Sequence, residues 1–120
     1  PYPYPYGFVV GTTGGGEEAV DCYIITDQSL RPGAAVRAEP MALLEFFEGD
    51  ELDHKILATL PEEEPPVDEG VRSRLQEFIY GIFRRYPEVQ VRVGALLPRV
   101  EAERFVARAR ERGANQSPPV

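Results

Sequence analysis

The hydrophobic pattern is most regular between Asp68 and Tyr86, where apolar side chains recur every three to four positions. This is the spacing of one helical face. Asp68 is a suitable N-cap and Pro87 stops a helix, so the pattern predicts one amphipathic helix from about Asp68 to Tyr86. The apolar positions are Val71, Leu75, Phe78, Ile79, Ile82, Phe83 and Tyr86.

A second helix, rich in arginine, is predicted from Val100 to Arg112. Gly113 is a typical residue for a helix C-terminus, so the prediction ends this helix there. The last residues, 113–120, contain Ser and two Pro, and they are predicted to form a flexible tail.

Strands are predicted where apolar residues are β-branched or alternate with polar ones. In "AVDCYIIT", Ala19 to Thr26, alternation sends Val20, Cys22 and Ile24 to one face and Asp21, Tyr23 and Ile25 to the other. "KILATL" and "EVQVRVG" are two further strand candidates. The opening "PYPYPYGF" cannot be helical and is predicted to be an extended, polyproline-like arm.

One segment, "AAVRAEPMALLEFFEG", is ambiguous by pattern alone. Pro40 followed by Met-Ala-Leu-Leu-Glu has the propensity of a helix start. Arg37 and Glu39 alternate with apolar residues as in a strand.

Composition narrows the possible partners. The chain has 120 residues, which is enough for one domain, and its net charge is −7 with a pI near 4.7. An acidic chain is a poor match for a nucleic-acid backbone and fits cations better. No apolar run approaches the length of a membrane span, so no membrane association and no signal peptide are predicted. Cys22 is the single cysteine, which favours a reducing compartment, the cytoplasm.

Carboxylates concentrate in two places: Glu17, Glu18 and Asp21, and then Glu48, Asp50, Glu51 and Asp53. Oxygen ligands suit Mg²⁺, Mn²⁺ or Ca²⁺ and not zinc. The alternative is that both are ordinary solvated loops. Asp21 is less easily explained in that way, because a carboxylate in an apolar strand needs a partner or a metal.

The single lysine, Lys55, lies two residues after Asp53. His54, between them, has no candidate nucleophile as a partner and is interpreted as a surface residue. Cys22 is predicted to pack in the core. The tyrosines of the arm are interpreted either as surface packing or as hydroxyl donors to a phosphate oxygen.

Four motifs occur in order: "YPYPYGF", "GEEAVD", "LRPGAAVRAEPMALLEFFEGDELDHKILA", and a helix ending in Tyr86. In this order and spacing the chain resembles the soluble inorganic pyrophosphatase family, from about Tyr2 to Gly113. The resemblance implies a single domain over 1–120. Its expected fold is α+β, a small OB-like β-barrel, closed or partly open, with two C-terminal helices. It also implies that Ala34 to Phe47 form barrel strands.

The same resemblance implies Mg²⁺-dependent hydrolysis of inorganic diphosphate to two phosphates by a metal-activated water, with Mn²⁺ as a possible substitute. It also implies a homo-oligomer. The residues that it assigns to metal binding are Asp21, Glu18, Glu48 and Asp53, and those that it assigns to catalysis are Glu18, Lys55, Tyr6 and Tyr86.

The chain departs from the family pattern at Gly16, Glu17, Ala19 and Pro87. The family's N-terminal portion, which contributes a glutamate, a lysine and an arginine to the site, has no counterpart in this sequence. Two alternatives to the diphosphate hydrolase therefore stay open. One is a catalytically degenerate protein that binds a metal or phosphate ligand or serves in assembly. The other is a phosphohydrolase acting on another diphosphate-containing substrate.

Overall fold

A computed structural model describes residues 2–14 and 18–115 of the chain. Six strands and two helices follow one another. They are β1 (Tyr6–Phe8), β2 (Asp21–Ile24), β3 (Glu39–Glu48), β4 (Glu51–Leu52), β5 (Lys55–Thr59), α1 (Glu69–Phe83), β6 (Val91–Leu97) and α2 (Arg99–Asn115).

The strands form one mixed sheet in the order β1-β2-β5-β3-β4, and β6 pairs with the other edge of β3. Strands β2 and β5 are parallel, whereas the other pairs are antiparallel. Over the described residues the sheet does not close on itself. The predicted α+β fold, a partly open OB-like barrel with two helices toward the C-terminus, is confirmed.

Each face of the sheet carries its own apolar cluster, because side chains alternate along every strand. Helix α1 covers the face with Tyr23, Leu44 and Leu57, through Val71, Leu75 and Ile79. Helix α2 covers the face with Cys22, Leu43 and Ile56, through Ala102, Val106 and Ala109. The predicted alternation in β2 and the burial of Cys22 are both confirmed.

Strand β3 settles the ambiguous segment. "PMALLEFF" is strand from Glu39 onward, in agreement with the family resemblance and against its helix propensity. The ten-residue strand has partner strands on both edges, β5 and β4 on one and β6 on the other, and Leu44 is fully buried, so sheet packing outweighs the propensity. Residues 34–38 belong to no strand, so that part of the predicted Ala34 to Phe47 segment is wrong.

The helix predictions need two corrections. Helix α1 begins after the predicted N-cap Asp68, whose carboxylate accepts the N–H groups of Gly70 and Val71, but it ends at Phe83 rather than Tyr86. Gly113 does not end α2, which continues to Asn115. A Cβ at Gly113 would lie 2.6 Å from the carbonyl oxygen of Gly11, so this glycine permits a close approach. The flexible tail is therefore wrong for 113–115, and its remainder lies outside the described residues.

The opening segment is packed against the domain. Residues 6–8 form β1, and Tyr4 is buried in the α1-side core, where its hydroxyl accepts a hydrogen bond from Arg74 at 3.1 Å. The prediction of an extended arm is thus incomplete, and surface packing is wrong for Tyr4. None of the helices within the described residues is long and apolar enough to span a membrane.

Candidate active site

The candidate site lies where two neighbouring parallel strands begin, at the same end of the sheet. Strands β2 and β5 pair in register with Asp21 opposite Lys55. Asp21 has the parity of Tyr23, and Lys55 has the parity of Leu57, so both side chains belong to the α1 side of the sheet. A parallel pair thus brings together two residues that are far apart in sequence.

Lys55 lies between two carboxylates. Its Nζ is 2.5 Å from Oδ2 of Asp21 and 3.0 Å from Oδ2 of Asp53. The side chain of Lys55 is only 8% exposed, whereas those of Asp21 and Asp53 are 24% and 40% exposed. Asp21, Asp53 and Lys55 are called the charged cluster below. Its formal charge is −1, and its carboxylates are the part that solvent reaches.

The floor of the charged cluster is aromatic. Nζ of Lys55 lies 4.8 Å from the centroid of the Phe46 ring, a distance suited to a cation–π contact. The ring keeps water from one side of the ammonium, so the interactions of Lys55 with anions are stronger than at an open surface.

Tyr6 lies beside the charged cluster. Its ring packs against Tyr23 with a centroid distance of 4.8 Å. Burial raises the pKa of the Tyr6 phenol, and the charge of Asp21 and a hydrogen bond to its side chain raise it further. The hydroxyl therefore keeps its proton and can act as a hydrogen-bond donor. Tyr6 is 43% exposed and its ring also stacks on that of Tyr2, as surface packing predicts, and donation from its hydroxyl to a phosphate oxygen stays a prediction.

In the part of the chain that the structure describes, the other predicted site residues form no hydrogen bond or ion pair with the charged cluster through their side chains. Glu18 precedes β2, Glu48 ends β3 and Tyr86 follows α1, and all three are exposed. Their metal-binding and catalytic roles stay predictions. Glu17, the further acidic residue next to Glu18, lies outside the described residues.

The charged cluster suits a hard divalent cation by donor type. Asp21 and Asp53 offer oxygen ligands only, and Mg²⁺ is usually held by one or two carboxylates together with substrate phosphates and water. Within 2–14 and 18–115, no three His, Cys, Asp or Glu side chains are grouped to hold a metal ion. Asp21 and Asp53 alone therefore make an incomplete ligand set for such a cation within the described residues.

His54 is not the surface residue that the sequence predicted. It is half-buried, and its ring packs against Phe47 and Phe105 at centroid distances of 5.4 and 5.6 Å. Its Nδ1 accepts the backbone N–H of Phe46 at 3.0 Å. Burial lowers the pKa of His54, so the neutral ring that this bond requires is favoured.

Sequence reasoning missed Phe46, and it missed how His54 contacts this residue. In an apolar strand, a phenylalanine beneath a lysine has the same pattern as any core phenylalanine. The available signal was the solitary lysine and histidine in adjacent positions, 54 and 55, after an aspartate.

Comparison with solved structures identifies the class of fold. The chain superposes on the inorganic pyrophosphatase of Helicobacter pylori with a TM-score of 0.84 at 20% identity, covering 94% of this chain and 72% of that one. For the Thermus thermophilus enzyme the TM-score is 0.82 at 24% identity, covering 94% and 71%. The fold is that of inorganic pyrophosphatases.

Sequence comparison identifies the family. The family model described as inorganic pyrophosphatase matches residues 1–112. Inorganic pyrophosphatases of Nanoarchaeum equitans and a Nostoc species are 28% and 33% identical to the chain, over 92% and 80% of it. The chain spans 75% of the first relative but only 59% of the second. The chain belongs to the inorganic pyrophosphatase family, as its motifs indicated.

Proposed function

We propose that this protein hydrolyses inorganic diphosphate to two phosphates with the help of Mg²⁺, or of Mn²⁺ in its place. The observation that carries the proposal is the buried Lys55 between Asp21 and Asp53, beside the Tyr6 hydroxyl. Membership of the inorganic pyrophosphatase family supports it.

The carboxylates of Asp21 and Asp53 would hold the metal ion. Bound Mg²⁺ neutralises phosphate charge and lowers the pKa of a coordinated water. Because the charged cluster has a net negative charge without metal, it repels a free diphosphate anion, so substrate binding depends on the cation.

Lys55 binds a phosphate oxygen in this proposal. Its ammonium has three N–H donors, and it would turn toward an anionic ligand if Asp21 and Asp53 held a metal ion. The Phe46 ring excludes water from beneath it, which strengthens the bond to phosphate. Tyr6 contributes a neutral donor, since its raised pKa prevents a phenolate from repelling the substrate. Glu18, Glu48 and Tyr86 keep their predicted roles as part of this proposal.

Phosphate release from diphosphate, measured with and without Mg²⁺, tests the proposal. Asp53→Asn is expected to lower kcat about a hundredfold or more, because it removes one metal ligand next to Lys55. Glu64→Gln, the same type of change at an exposed carboxylate, is the matched control and is expected to retain wild-type kcat. Equal rates for both variants would refute the assignment of the charged cluster.

A second candidate is a family member that binds a metal or phosphate ligand without turnover. It is favoured by the absence, within the described ranges, of any group of three acidic, histidine or cysteine side chains suited to a metal. Calorimetry with Mg²⁺ and phosphate separates the two: heat of binding without phosphate release from diphosphate supports the second candidate. A parallel assay on organic diphosphates tests the alternative of a phosphohydrolase that acts on another diphosphate-containing substrate.

Two further properties belong to the proposal. A homo-oligomer is expected from the family resemblance, and sedimentation velocity measures it directly. A cytoplasmic location is expected because the lone Cys22 is free and buried, which suits a reducing compartment.

A further inference from the structure

A gap interrupts the pairing along one edge of β3, next to the charged cluster. Strand β5 pairs with β3 as far as Leu44 opposite Lys55, and β4 pairs with it from Phe47 opposite Leu52. Between these two pairings, Glu45 and Phe46 face the connection at residues 53–54, which belongs to no strand. The backbone of Phe46 therefore needs partners other than a continuous ladder.

Three consecutive residues supply contacts to Phe46. The N–H of Asp53 donates to the Phe46 carbonyl at 2.9 Å. His54 Nδ1 accepts the Phe46 N–H at 3.0 Å, and Lys55 Nζ lies over the Phe46 ring at 4.8 Å. An imidazole nitrogen thus takes the place of a missing strand carbonyl, between the two charged residues that form the candidate site.

The position of the imidazole is fixed from the other side of the sheet. Phe47 meets it nearly edge to face, at 89°, and Phe105 of α2 packs against it at a centroid distance of 5.6 Å. The acidic and basic neighbours, Asp53 and Lys55, pair with each other on the α1 side. His54 therefore connects the packing of α2 to the charged cluster across the sheet.

We propose that His54 is a positioning residue that sets the geometry of Asp53 and Lys55 by accepting the Phe46 N–H. Its effect on turnover rests on the proposed function, whereas its effect on Lys55 does not. Without an acceptor at this point the Phe46 N–H is left unpaired beside the core, which is costly. The connection then shifts to satisfy it, and both flanking side chains move with it.

Two variants of His54 separate the effect of losing the hydrogen-bond acceptor from the effect of losing packing. His54→Asn places an amide oxygen where Nδ1 lies, at the same number of bonds from Cβ, and so keeps the hydrogen bond. His54→Leu retains apolar bulk between Phe47 and Phe105 but accepts no hydrogen bond. Ile79→Val, which removes a methyl group from the core contributed by α1, is the control for a general loss of packing.

The direct measurement is the NMR signal of Lys55. Since the chain contains one lysine, ¹³C-lysine labelling gives a single Hε/Cε resonance. Over the Phe46 ring this resonance is expected upfield of its position in an unfolded chain. The upfield shift is expected to persist in His54→Asn and Ile79→Val and to be lost in His54→Leu. An unchanged shift in His54→Leu, or an equal loss in His54→Asn, would overturn the proposal.

Kinetics supply the second readout. With Mg²⁺ and diphosphate, His54→Leu is expected to lower kcat about tenfold to a hundredfold, because a displacement of about 1 Å has effects of this size. His54→Asn is expected to stay within about threefold of wild type. Equal kcat values for the two variants would contradict a positioning role. A wild-type protein without turnover removes the proposed function only, and the Lys55 resonance then decides for or against the positioning role of His54.

Discussion

At the scale of single residues, the charged cluster explains why one lysine occurs in a chain that otherwise uses arginine. Lys55 is 6% exposed and must fit between two carboxylate oxygens and an aromatic ring. A compact ammonium on an apolar stem satisfies all three contacts, whereas a planar guanidinium needs more room. The pairing offsets the cost of desolvating the ammonium.

Replacing Lys55 by Met tests the energetic side of this arrangement. The variant keeps an apolar stem on Phe46 but leaves two like-charged carboxylates near one another, so the fold loses stability. Because both carboxylates are partly exposed, we expect a loss of about 2 kcal/mol, below the range for fully buried pairs. Urea denaturation at neutral pH measures it, with Glu64→Gln as the neutral control. Unchanged stability would show that solvent screens the pair.

The buried thiol of Cys22 is expected to make the free energy of unfolding depend on pH in the alkaline range. Burial raises the pKa of its thiol to about 12, and the charge of Asp21 adds to the effect. The folded state thus favours the protonated thiol. The contribution of the Cys22 thiol to stability is complete below its pKa in the unfolded chain, about 8.5. It is lost as the pH rises toward the pKa of the thiol in the folded protein.

We therefore expect the free energy of unfolding to fall above about pH 8.5 by up to about 1.4 kcal/mol per pH unit from this thiol. Tyr6 and Tyr23, whose pKa values are also raised by burial, add to the decline at higher pH. Urea unfolding across this range measures the slope. Cys22→Ala should show a shallower decline than wild type, and an identical slope in the two proteins would contradict the assignment.

At the scale of helices and strands, local pattern predicted some elements well and others poorly. The 3.6-residue period and the Asp68 cap placed α1, since both signals are local. Strand β3 contradicts its own helix propensity, because pairing on both edges decides its conformation. The preference of glycine for helix C-termini led to the prediction that α2 ends at Gly113. The contact of Gly113 with Gly11 is a tertiary feature, so no local pattern contains it.

Two glycines within helices provide a matched test of that contact. Gly81 lies inside α1, and a Cβ there would meet nothing within 4 Å. Gly81→Ala is therefore expected to stabilise the protein by about 0.8–1 kcal/mol through helix propensity. Gly113→Ala gains less from propensity, because Gly113 lies in the last turn of α2, and it forces α2 away from Gly11, so a net loss of about 1–2 kcal/mol is expected. Thermal unfolding of both variants gives the comparison. Stabilisation by both changes would contradict the close approach.

The candidate site itself could be predicted only in part. Asp21 attracted attention because a carboxylate in an apolar strand needs a partner, and the structure supplies Lys55. The family resemblance placed Asp53, Lys55 and Tyr6 near one substrate, and these residues do lie together. The parallel register of β2 and β5 and the gap beside Phe46 arise from tertiary pairing, so neither could be deduced from the order of residues.

At the scale of the whole molecule, the charged cluster joins segments that are distant in sequence. Asp21 and Lys55 are separated by 34 positions and come together only when the sheet forms. The two helices cover opposite faces of that sheet, and His54 contacts α2 while its neighbours face α1. We therefore expect that the charged cluster forms only in the folded protein and that a ligand bound to it stabilises the whole fold.

Linkage between metal binding and unfolding tests this coupling. Mg²⁺ bound only by the folded protein stabilises it, by about 2.7 kcal/mol at a concentration one hundred times its Kd. A rise in Tm with Mg²⁺ is thus expected for wild type and for Glu64→Gln. Asp53→Asn, which lacks one proposed ligand, should show little rise. A similar rise in Asp53→Asn would place the bound metal elsewhere.

The proposed hydrolysis of diphosphate at the charged cluster is tested most directly by the initial rate of phosphate release from diphosphate, measured for folded wild-type protein and for Lys55→Met across a Mg²⁺ titration. We expect two phosphates per diphosphate, a rate that depends on Mg²⁺, and a kcat about a hundredfold lower in the variant. Release that is absent from wild type at every Mg²⁺ concentration, or equal in the two proteins, would contradict this proposal.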